Sequence, residues 1–276
     1  MNNIDIKSLY GLKYNPFLPN IPEEALYTLP GSQTFELRIR SMAQQGGFAL
    51  ITGEPGLGKS KTLHKMACCL EKIPDLAVGV MQRPQSKLGD FYRELGELFN
   101  VALSPANRYG GFKTLRERWI HHCQSTLFKP VLLIDEAQHV SDECLTELRI
   151  LQSHQFDSQN LLFTVLCGDN RLPERFRSPE LLPLGSRIGP RLILEPLTPD
   201  QLQDYLHFAL DQAGNSQLMT EGLIRTLAGH AANNLRILNQ MAAELLNTAA
   251  VKELPRIDES LFFELFSPNR PRPKRE

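Results

Sequence analysis

Gly53-Glu-Pro-Gly-Leu-Gly-Lys59-Ser60 is the most informative stretch of this sequence. It matches the pattern G-x-x-x-x-G-K-[S/T] in full, and it lies between an apolar run, Phe48-Ala-Leu-Ile-Thr52, and a helix-like segment. Glycines at this spacing let successive backbone N–H groups converge on an anion, and the start of the following helix adds a positive electrostatic end. The stretch therefore predicts a loop that binds nucleotide phosphates.

The residue types in this loop have separate expected roles. Lys59 is expected to place its ammonium group on the β- and γ-phosphates, and the Ser60 hydroxyl to bind Mg²⁺. ATP and Mg²⁺ are therefore the predicted cofactors. The alternative is a glycine-rich turn without function, which the flanking strand and helix patterns disfavour. The predicted nucleotide contacts in the loop are Gly53, Glu54, Pro55, Gly56, Leu57, Gly58, Lys59, Ser60 and Lys61.

A second apolar run, Val131-Leu-Leu-Ile134, ends in two carboxylates, Asp135 and Glu136. Open α/β sheets bind their ligands at the carboxyl ends of the strands. Asp135 is expected to hold the Mg²⁺, directly or through water, and Glu136 to orient or deprotonate the attacking water. A solvated acidic loop is the alternative, and the complete phosphate loop disfavours it.

Short apolar runs alternate with helical patterns between residues 35 and 195, and this alternation predicts an α/β fold with a parallel five-stranded sheet between helices. Only helical patterns follow Pro196, so residues 196–266 are expected to form a small helical domain. Residues 1–34 are an irregular N-terminal extension, and residues 267–276 a basic, proline-rich tail. The predicted strands are 48–52, 76–80, 131–134, 161–166 and 192–194.

Composition excludes several classes of protein. The chain has 276 residues, 42% hydrophobic and 22% charged, so it is neither disordered, fibrous nor a small disulfide scaffold. Thirty basic and 31 acidic side chains exclude a globally basic nucleic-acid binder, and leave room only for a local basic patch. Neither a run of eighteen apolar residues nor a signal-peptide pattern is present, so we expect a cytoplasmic protein without a membrane anchor.

The phosphate loop, the LLIDEAQ strand and the helical segment that follows resemble those of the AAA+ ATPases, over nearly the whole chain. The sequence is most similar to the branch that holds the ExeA-type secretion ATPases and the transposition ATPases of the TnsC, TniB and MuB kind. This resemblance implies the AAA+ fold with a C-terminal helical lid, and ATP hydrolysis. The further pointers are Tyr10-Gly11-Leu12, Asn15-Pro16-Phe17, Gly47-Phe48, Leu148-Arg149-Ile-Leu151, Val165-Leu-Cys-Gly168, Ser186-Arg187-Ile188, Leu194-Glu-Pro-Leu197 and Asn234-Leu235-Arg236.

The resemblance also implies roles for single residues. Sensor 1, a polar group near the γ-phosphate, falls on Asp169 or Asn170, and repulsion between an acid and phosphate favours Asn170. Arg187 corresponds to the arginine finger offered to a neighbouring subunit's nucleotide, with Arg191 as second choice. Arg236 corresponds to sensor 2 of the lid. A solvated surface charge is the alternative for each arginine.

Two further expectations concern the N-terminal extension and the assembly. Phe17 is expected to pack on the adenine, or else only on the protein core. If Arg187 acts in trans, the active site exists only between subunits, so a hexameric ring or a helical filament is expected.

Double-stranded DNA is the partner that the resemblance implies, bound through its backbone without sequence specificity. Two short segments, 82–87 and 109–118, correspond to loops that track DNA in related proteins. Ordinary charged surface loops are the alternative. The predicted DNA contacts are Arg83, Ser86, Lys87, Lys113, Thr114 and Arg116.

The resemblance favours an accessory ATPase of transposition, which coats DNA when ATP is bound and recruits or activates a transposase. A target-site-recognition protein is a further expected partner, and the basic tail could engage DNA or protein. The alternatives are an ExeA-like motor of secretion-apparatus assembly and a scaffold that binds ATP without hydrolysis. Secretion members carry a membrane helix and a cell-wall-binding domain after the lid, and neither pattern follows Phe266.

Overall fold

A computed structural model describes residues 6–82, 87–103, 108–126 and 129–266 of the chain. Its strands are β1 (Gly47–Gly53), β2 (Leu76–Met81), β3 (Lys129–Ile134), β4 (Ser153–His154), β5 (Gln159–Asn160), β6 (Phe163–Gly168) and β7 (Ile188–Leu194). Five of them form one parallel sheet in the order β2-β3-β6-β1-β7, and β4 and β5 form a separate antiparallel hairpin. The predicted α/β fold is confirmed.

The three central strands are buried because helices cover both faces of the sheet. β6 begins at Phe163, two residues later than predicted, because Leu161 and Leu162 lead in from the hairpin. β7 begins at Ile188, well before the predicted start. It is an edge strand that alternates buried and exposed residues, and such a strand tolerates Pro190, which lies where its register against β1 shifts.

Two compact units divide the chain. The first, Thr28–Glu195, is called the sheet unit here. The second, called the helical unit, combines the described residues of Met1–Tyr27 and Pro196–Glu276. The helices are α1 (Ile6–Tyr10), α2 (Ser32–Ala43), α3 (Lys59–Glu71), α4 (Leu88–Leu98), α5 (Arg108–His121), α6 (Asp142–Gln152), α7 (Arg171–Arg175), α8 (Leu182–Gly185), α9 (Pro199–Ala213), α10 (Glu221–His230), α11 (Leu235–Val251) and α12 (Glu259–Phe266).

Helix α9, the first helix of the helical unit after residue 195, is well capped. Thr198 and Gln201 form a reciprocal capping box at the start of α9, Pro199 occupies its first turn, and Gly214 ends it with φ 100°. Thr198, Pro199 and Gly214 are residue types that commonly begin and end helices, so the bounds of α9 are set by local sequence.

The predicted N-terminal extension, residues 1–34, is divided between the helical unit and the sheet unit. The backbone N–H of Lys13 donates to the carbonyl of Ala213 at 2.9 Å, and the Asn215 amide donates to the carbonyl of Tyr10 at 2.9 Å. Tyr27 packs edge-on against Tyr205, with ring centroids 5.4 Å apart. These contacts attach the segment before residue 28 to the helical unit, whereas residues 28–34 lie in the sheet unit.

Among the described residues, no helix is long and apolar enough to cross a lipid bilayer.

Candidate functional site

The phosphate loop connects β1 to α3 and is shaped by glycines with a left-handed backbone. Gly56 and Gly58 have φ values of 88° and 95°, which favour glycine. Gly53 ends β1 so close to β7 that a β-carbon there would lie 2.8 Å from the carbonyl oxygen of Leu194. The chain can therefore leave the sheet and enter α3 without steric conflict only with glycine at these places.

Lys59 is buried at the start of α3, with 8% of its surface exposed. Its Nζ donates to the carbonyl oxygen of Glu54 at 2.9 Å, so the ammonium group lies across the loop. A buried cation over a glycine-rich turn at a helix start fits the phosphates of a nucleotide. Of the other predicted contacts, Glu54, Pro55, Ser60 and Lys61 are exposed, and Leu57 is buried.

The two predicted carboxylates follow β3 directly. The backbone N–H of Asp135 donates to the carbonyl of Met81 at 3.1 Å and so extends the pairing with β2 by one residue. The Asp135 carboxylate accepts from the backbone N–H of Glu136 at 2.9 Å. Glu136 has φ 51°, and this left-handed turn directs the chain out of the strand at an exposed position. The backbone thus separates the expected metal ligand from the expected base.

The buried Cys167 of β6 is influenced by charges from both the phosphate loop and the end of β3. Burial raises the pKa of its thiol well above the usual value, and the nearby Asp135 carboxylate raises it further. The Lys59 ammonium acts on the same pKa in the opposite direction. Lys59 and Asp135 therefore both act on the electrostatics of this one thiol.

Gln138 connects the acidic turn to the end of β6. Its amide nitrogen donates to the Glu136 carboxylate, and its amide oxygen accepts from the backbone N–H of Asp169 at 3.2 Å. The side chain passes over Gly168, where a β-carbon would lie 2.4 Å from the Gln138 amide oxygen. Gln138 was assigned no role from the sequence, although it lies only two residues after Glu136.

The predicted sensor position holds an ion pair. Arg171 donates to the Asp169 carboxylate from Nε at 2.8 Å and from Nη2 at 2.5 Å. These bonds lower the pKa of the Asp169 carboxyl. They also compensate its negative charge, which on sequence grounds was expected to repel a phosphate. Asn170 is exposed at the start of α7, and its sensor role stays a prediction.

The predicted arginine finger is held inside the sheet unit. Arg187 donates from Nη1 to the carbonyl of Pro183 and from Nη2 to the carboxylate of Asp157. Asp157 lies 30 residues earlier in the chain, and no local pattern marks it. Arg191, the second choice, lies on edge strand β7 with its Nη2 3.5 Å from the carbonyl oxygen of Gly185.

Two predicted site residues belong to the helical unit. Arg236 is exposed in the first turn of α11, where the Asn234 side chain accepts from its backbone N–H at 3.0 Å. Phe17 is 5% exposed, and its backbone N–H donates to the Asn15 side chain at 3.0 Å. Their contacts with nucleotide remain predictions.

The predicted DNA contacts divide into three groups. Arg83 and Ser86 lie outside the described residues. Lys87 is exposed just before α4. Lys113 is exposed on α5, with its Nζ 3.7 Å from the Glu117 carboxylate oxygen Oε1. Thr114 donates from its hydroxyl to the backbone of its own helix, at the carbonyl of Gly110, 2.7 Å away.

Arg116 has a structural role that the sequence did not indicate. The predicted loop 109–118 is part of helix α5, so its backbone N–H groups beyond the first turn are engaged in helical hydrogen bonds. Arg116 donates to the carbonyls of Ile150 and Leu151 at 3.1 and 3.3 Å and stacks over Phe112 at 5.2 Å. It therefore caps the end of α6, which accounts for its position without any DNA.

Part of the sheet unit matches the sequence model of a protein family. Residues 40–176 match the sequence model of the family described as an AAA domain (AAA_22). This segment contains the phosphate loop, the carboxylates after β3 and the Asp169–Arg171 pair. The fold and the site together define a P-loop protein with the AAA+ fold.

The chain is similar to a named protein of Aeromonas hydrophila, General secretion pathway protein A. The two are 30% identical over 209 residues, which is 74% of this chain and 37% of that protein. The chain thus spans about a third of the length of this curated relative.

Solved structures share the fold at lower identity. The Aeropyrum pernix ORC2 protein, solved as ADPNP-ADP complexes, superposes with a TM-score of 0.69 at 15% identity, covering 94% of this chain and 73% of that one. The Aeropyrum pernix ORC1 protein in complex with DNA gives a TM-score of 0.66 at 18% identity, covering 91% and 68%. At these identities the likeness concerns the fold alone.

Proposed function

We propose that this chain is a Mg²⁺-dependent ATPase whose site is built on Lys59, Asp135 and Glu136. The observation that supports it most is the buried Lys59 ammonium across the glycine loop, near the carboxylate that follows β3. Ser60 and Asp135 would hold the Mg²⁺, which neutralises phosphate charge when bound. Glu136, displaced from Asp135 by the left-handed turn, would orient the attacking water and accept its proton.

Two substitutions test this assignment separately. Lys59→Ala removes the buried cation, so calorimetry with ATP and Mg²⁺ is expected to detect no binding. Glu136→Gln keeps the loop intact, so it is expected to retain ATP affinity and to lose turnover by about 100-fold or more. Glu180→Gln, an exposed carboxylate of the same unit, is the control. Unchanged ATP affinity in Lys59→Ala would refute the site.

We infer further that the site is completed between subunits, with Arg187 donated by a neighbour in a ring or filament. Lys59 and Glu136 supply binding and proton transfer, and a trans arginine would stabilise the charge that develops on the phosphates. Mixing inactive Arg187→Ala with inactive Glu136→Gln is then expected to restore turnover, because some interfaces combine an intact finger with an intact base. Assembly without restored turnover would refute a trans role.

The first candidate for the biological role is an ATPase that assembles on duplex DNA and recruits or activates a transposase. Lys87 and Lys113 are exposed cations that suit phosphate contacts without base recognition. A fold shared with a protein solved in complex with DNA supports DNA as the partner.

DNA dependence is tested by turnover with and without duplex DNA across a salt series. Lys87→Ala and Lys113→Ala are each expected to weaken binding uniformly across DNA sequences and to reduce the salt slope by about one. Lys252→Ala, which removes the same charge from the helical unit, is the control. Equal rates of ATP turnover with and without duplex DNA at low salt would reject the DNA-assembling role.

The second candidate is an ATPase of secretion-apparatus assembly, and the 30% identity to General secretion pathway protein A favours it. In that case ATP turnover is expected to be the same with and without duplex DNA. The same salt series therefore separates the two roles, and stimulation by DNA at low salt would reject the secretion role.

A further inference from the structure

The hairpin formed by β4 and β5 has an unfavourable backbone at its tip. Gln155, Phe156 and Asp157 have φ values of 48°, 55° and 66°, three consecutive non-glycine residues in the left-handed region. Phe156, in the middle, is fully exposed, so packing of its ring does not compensate. Contacts elsewhere in the hairpin must therefore hold this conformation.

Two arginines make those contacts. Arg116, from α5, donates to the carbonyl of Ser153 and lies 3.2 Å from the His154 ring nitrogen, which fixes the base of the hairpin. Arg187 donates to the Asp157 carboxylate, which fixes the tip. The first contact is to the backbone and serves the fold, whereas the second joins two side chains, and Asp157 also accepts from the Ser153 side chain within the hairpin.

The Asp157–Arg187 pair is suited to exchange. The Arg187 side chain is 31% exposed and that of Asp157 is 48% exposed, and ion pairs between such exposed groups are weak. A triphosphate offers the same guanidinium several charged oxygens, which accept stronger, paired hydrogen bonds. Release of the carboxylate would also let the left-handed tip relax.

We propose that Asp157 is a positioning residue. It holds Arg187 within its own subunit until a neighbouring subunit with a bound nucleoside triphosphate offers the guanidinium a second partner. The inference rests on the proposed function, in which Arg187 acts in trans. The cis contact competes with the trans contact for one guanidinium, so Asp157 raises the protein concentration at which the chain assembles with ATP and reaches full turnover.

The test is the concentration dependence of ATP turnover and of ATP-dependent sedimentation in Asp157→Asn. Removal of an exposed ion pair is expected to lower the half-maximal concentration about two- to fivefold. Asp90→Asn is the matched control, since Asp90 pairs with Arg93 at 3.2 Å, is 44% exposed and lies in the same unit. A shift no larger than that of Asp90→Asn, or a shift to higher concentration, would overturn the inference.

The Arg187→Ala background separates positioning from a general effect of the hairpin. Asp157→Asn is expected to have no further effect on sedimentation there, because the guanidinium it competes for is absent. A shift that persists without Arg187 would also overturn the inference. If Arg187→Ala alone leaves turnover and sedimentation as in the wild type, the trans finger itself fails. If Arg187→Ala lowers turnover and Asp157→Asn matches the control, only the positioning role fails.

Discussion

The side-chain amide of Gln138 lies between the Glu136 carboxylate and the backbone N–H of Asp169 and is hydrogen-bonded to both. It thereby joins the end of β3, where the proposed base lies, to the end of β6, where the predicted sensor residues begin. A displacement at either strand end would be transmitted through one planar group. The orientation of Glu136 is thus tied to the Asp169 turn.

Gln138→Ala is expected to lower kcat for ATP about tenfold, the loss of one orienting hydrogen bond of roughly 1.4 kcal/mol. ATP affinity should stay unchanged, because the phosphate loop does not depend on this amide. Steady-state kinetics with calorimetric affinities measure the two effects separately. His139→Ala, an exposed neighbour in the same turn, is the control, and an equal loss there would contradict the role of Gln138.

Gly168→Ala is expected to lower the free energy of unfolding by about 1–3 kcal/mol, the cost of overpacking a filled site. The added β-carbon would lie 2.4 Å from the Gln138 amide oxygen and 2.5 Å from a Leu172 methyl carbon. Gly229→Ala, where nothing lies within 4 Å in helix α10, should be neutral or slightly stabilising. Urea denaturation followed by circular dichroism compares the two, and equal stability would refute the close approach.

The Asp169 carboxyl is expected to titrate below its ordinary pKa of 3.8, because Arg171 donates to its charged form. Since the pKa is lowered in the folded chain, the pair stabilises the fold above the ordinary value, and this stabilisation is lost as pH falls through the lowered pKa. Arg171→Ala should return the pKa upwards in a carbon-detected NMR titration. Asp258, whose pKa is lowered by Ser260, should not move.

Arg116→Ala is expected to destabilise the chain by about 1–3 kcal/mol, since the carbonyls at the end of α6 lose a charged donor. Lys113→Ala, one turn away on the exposed face of α5, should change stability by less than about 0.5 kcal/mol. Thermal unfolding without DNA measures both. If both variants unfold like the wild type, Arg116 does not cap α6, and its charge is available for DNA.

The sequence predicts most of the frame of this molecule because the frame depends on local signals. The glycine loop, the apolar runs and the caps of α9 each lie within a few residues of the structure they specify. The Asp157–Arg187 pair could not be predicted, because it joins residues 30 positions apart through a hairpin of two-residue strands. The family resemblance predicts a loop at 109–118, whereas packing of the buried Leu115 and Trp119 holds this segment helical.

The helical unit is assembled from both ends of the chain, and this has a consequence for biosynthesis. Tyr10, Phe17 and Leu26 leave the ribosome before the sheet unit does, yet helices α9 to α12 of their own unit are translated only after residue 195. These apolar side chains must therefore wait, through the synthesis of the entire sheet unit, before they can be enclosed. A nascent chain halted at residue 195 would leave these apolar side chains exposed, because α9 to α12 would not yet have been made. Chaperones bind exposed apolar segments of this kind.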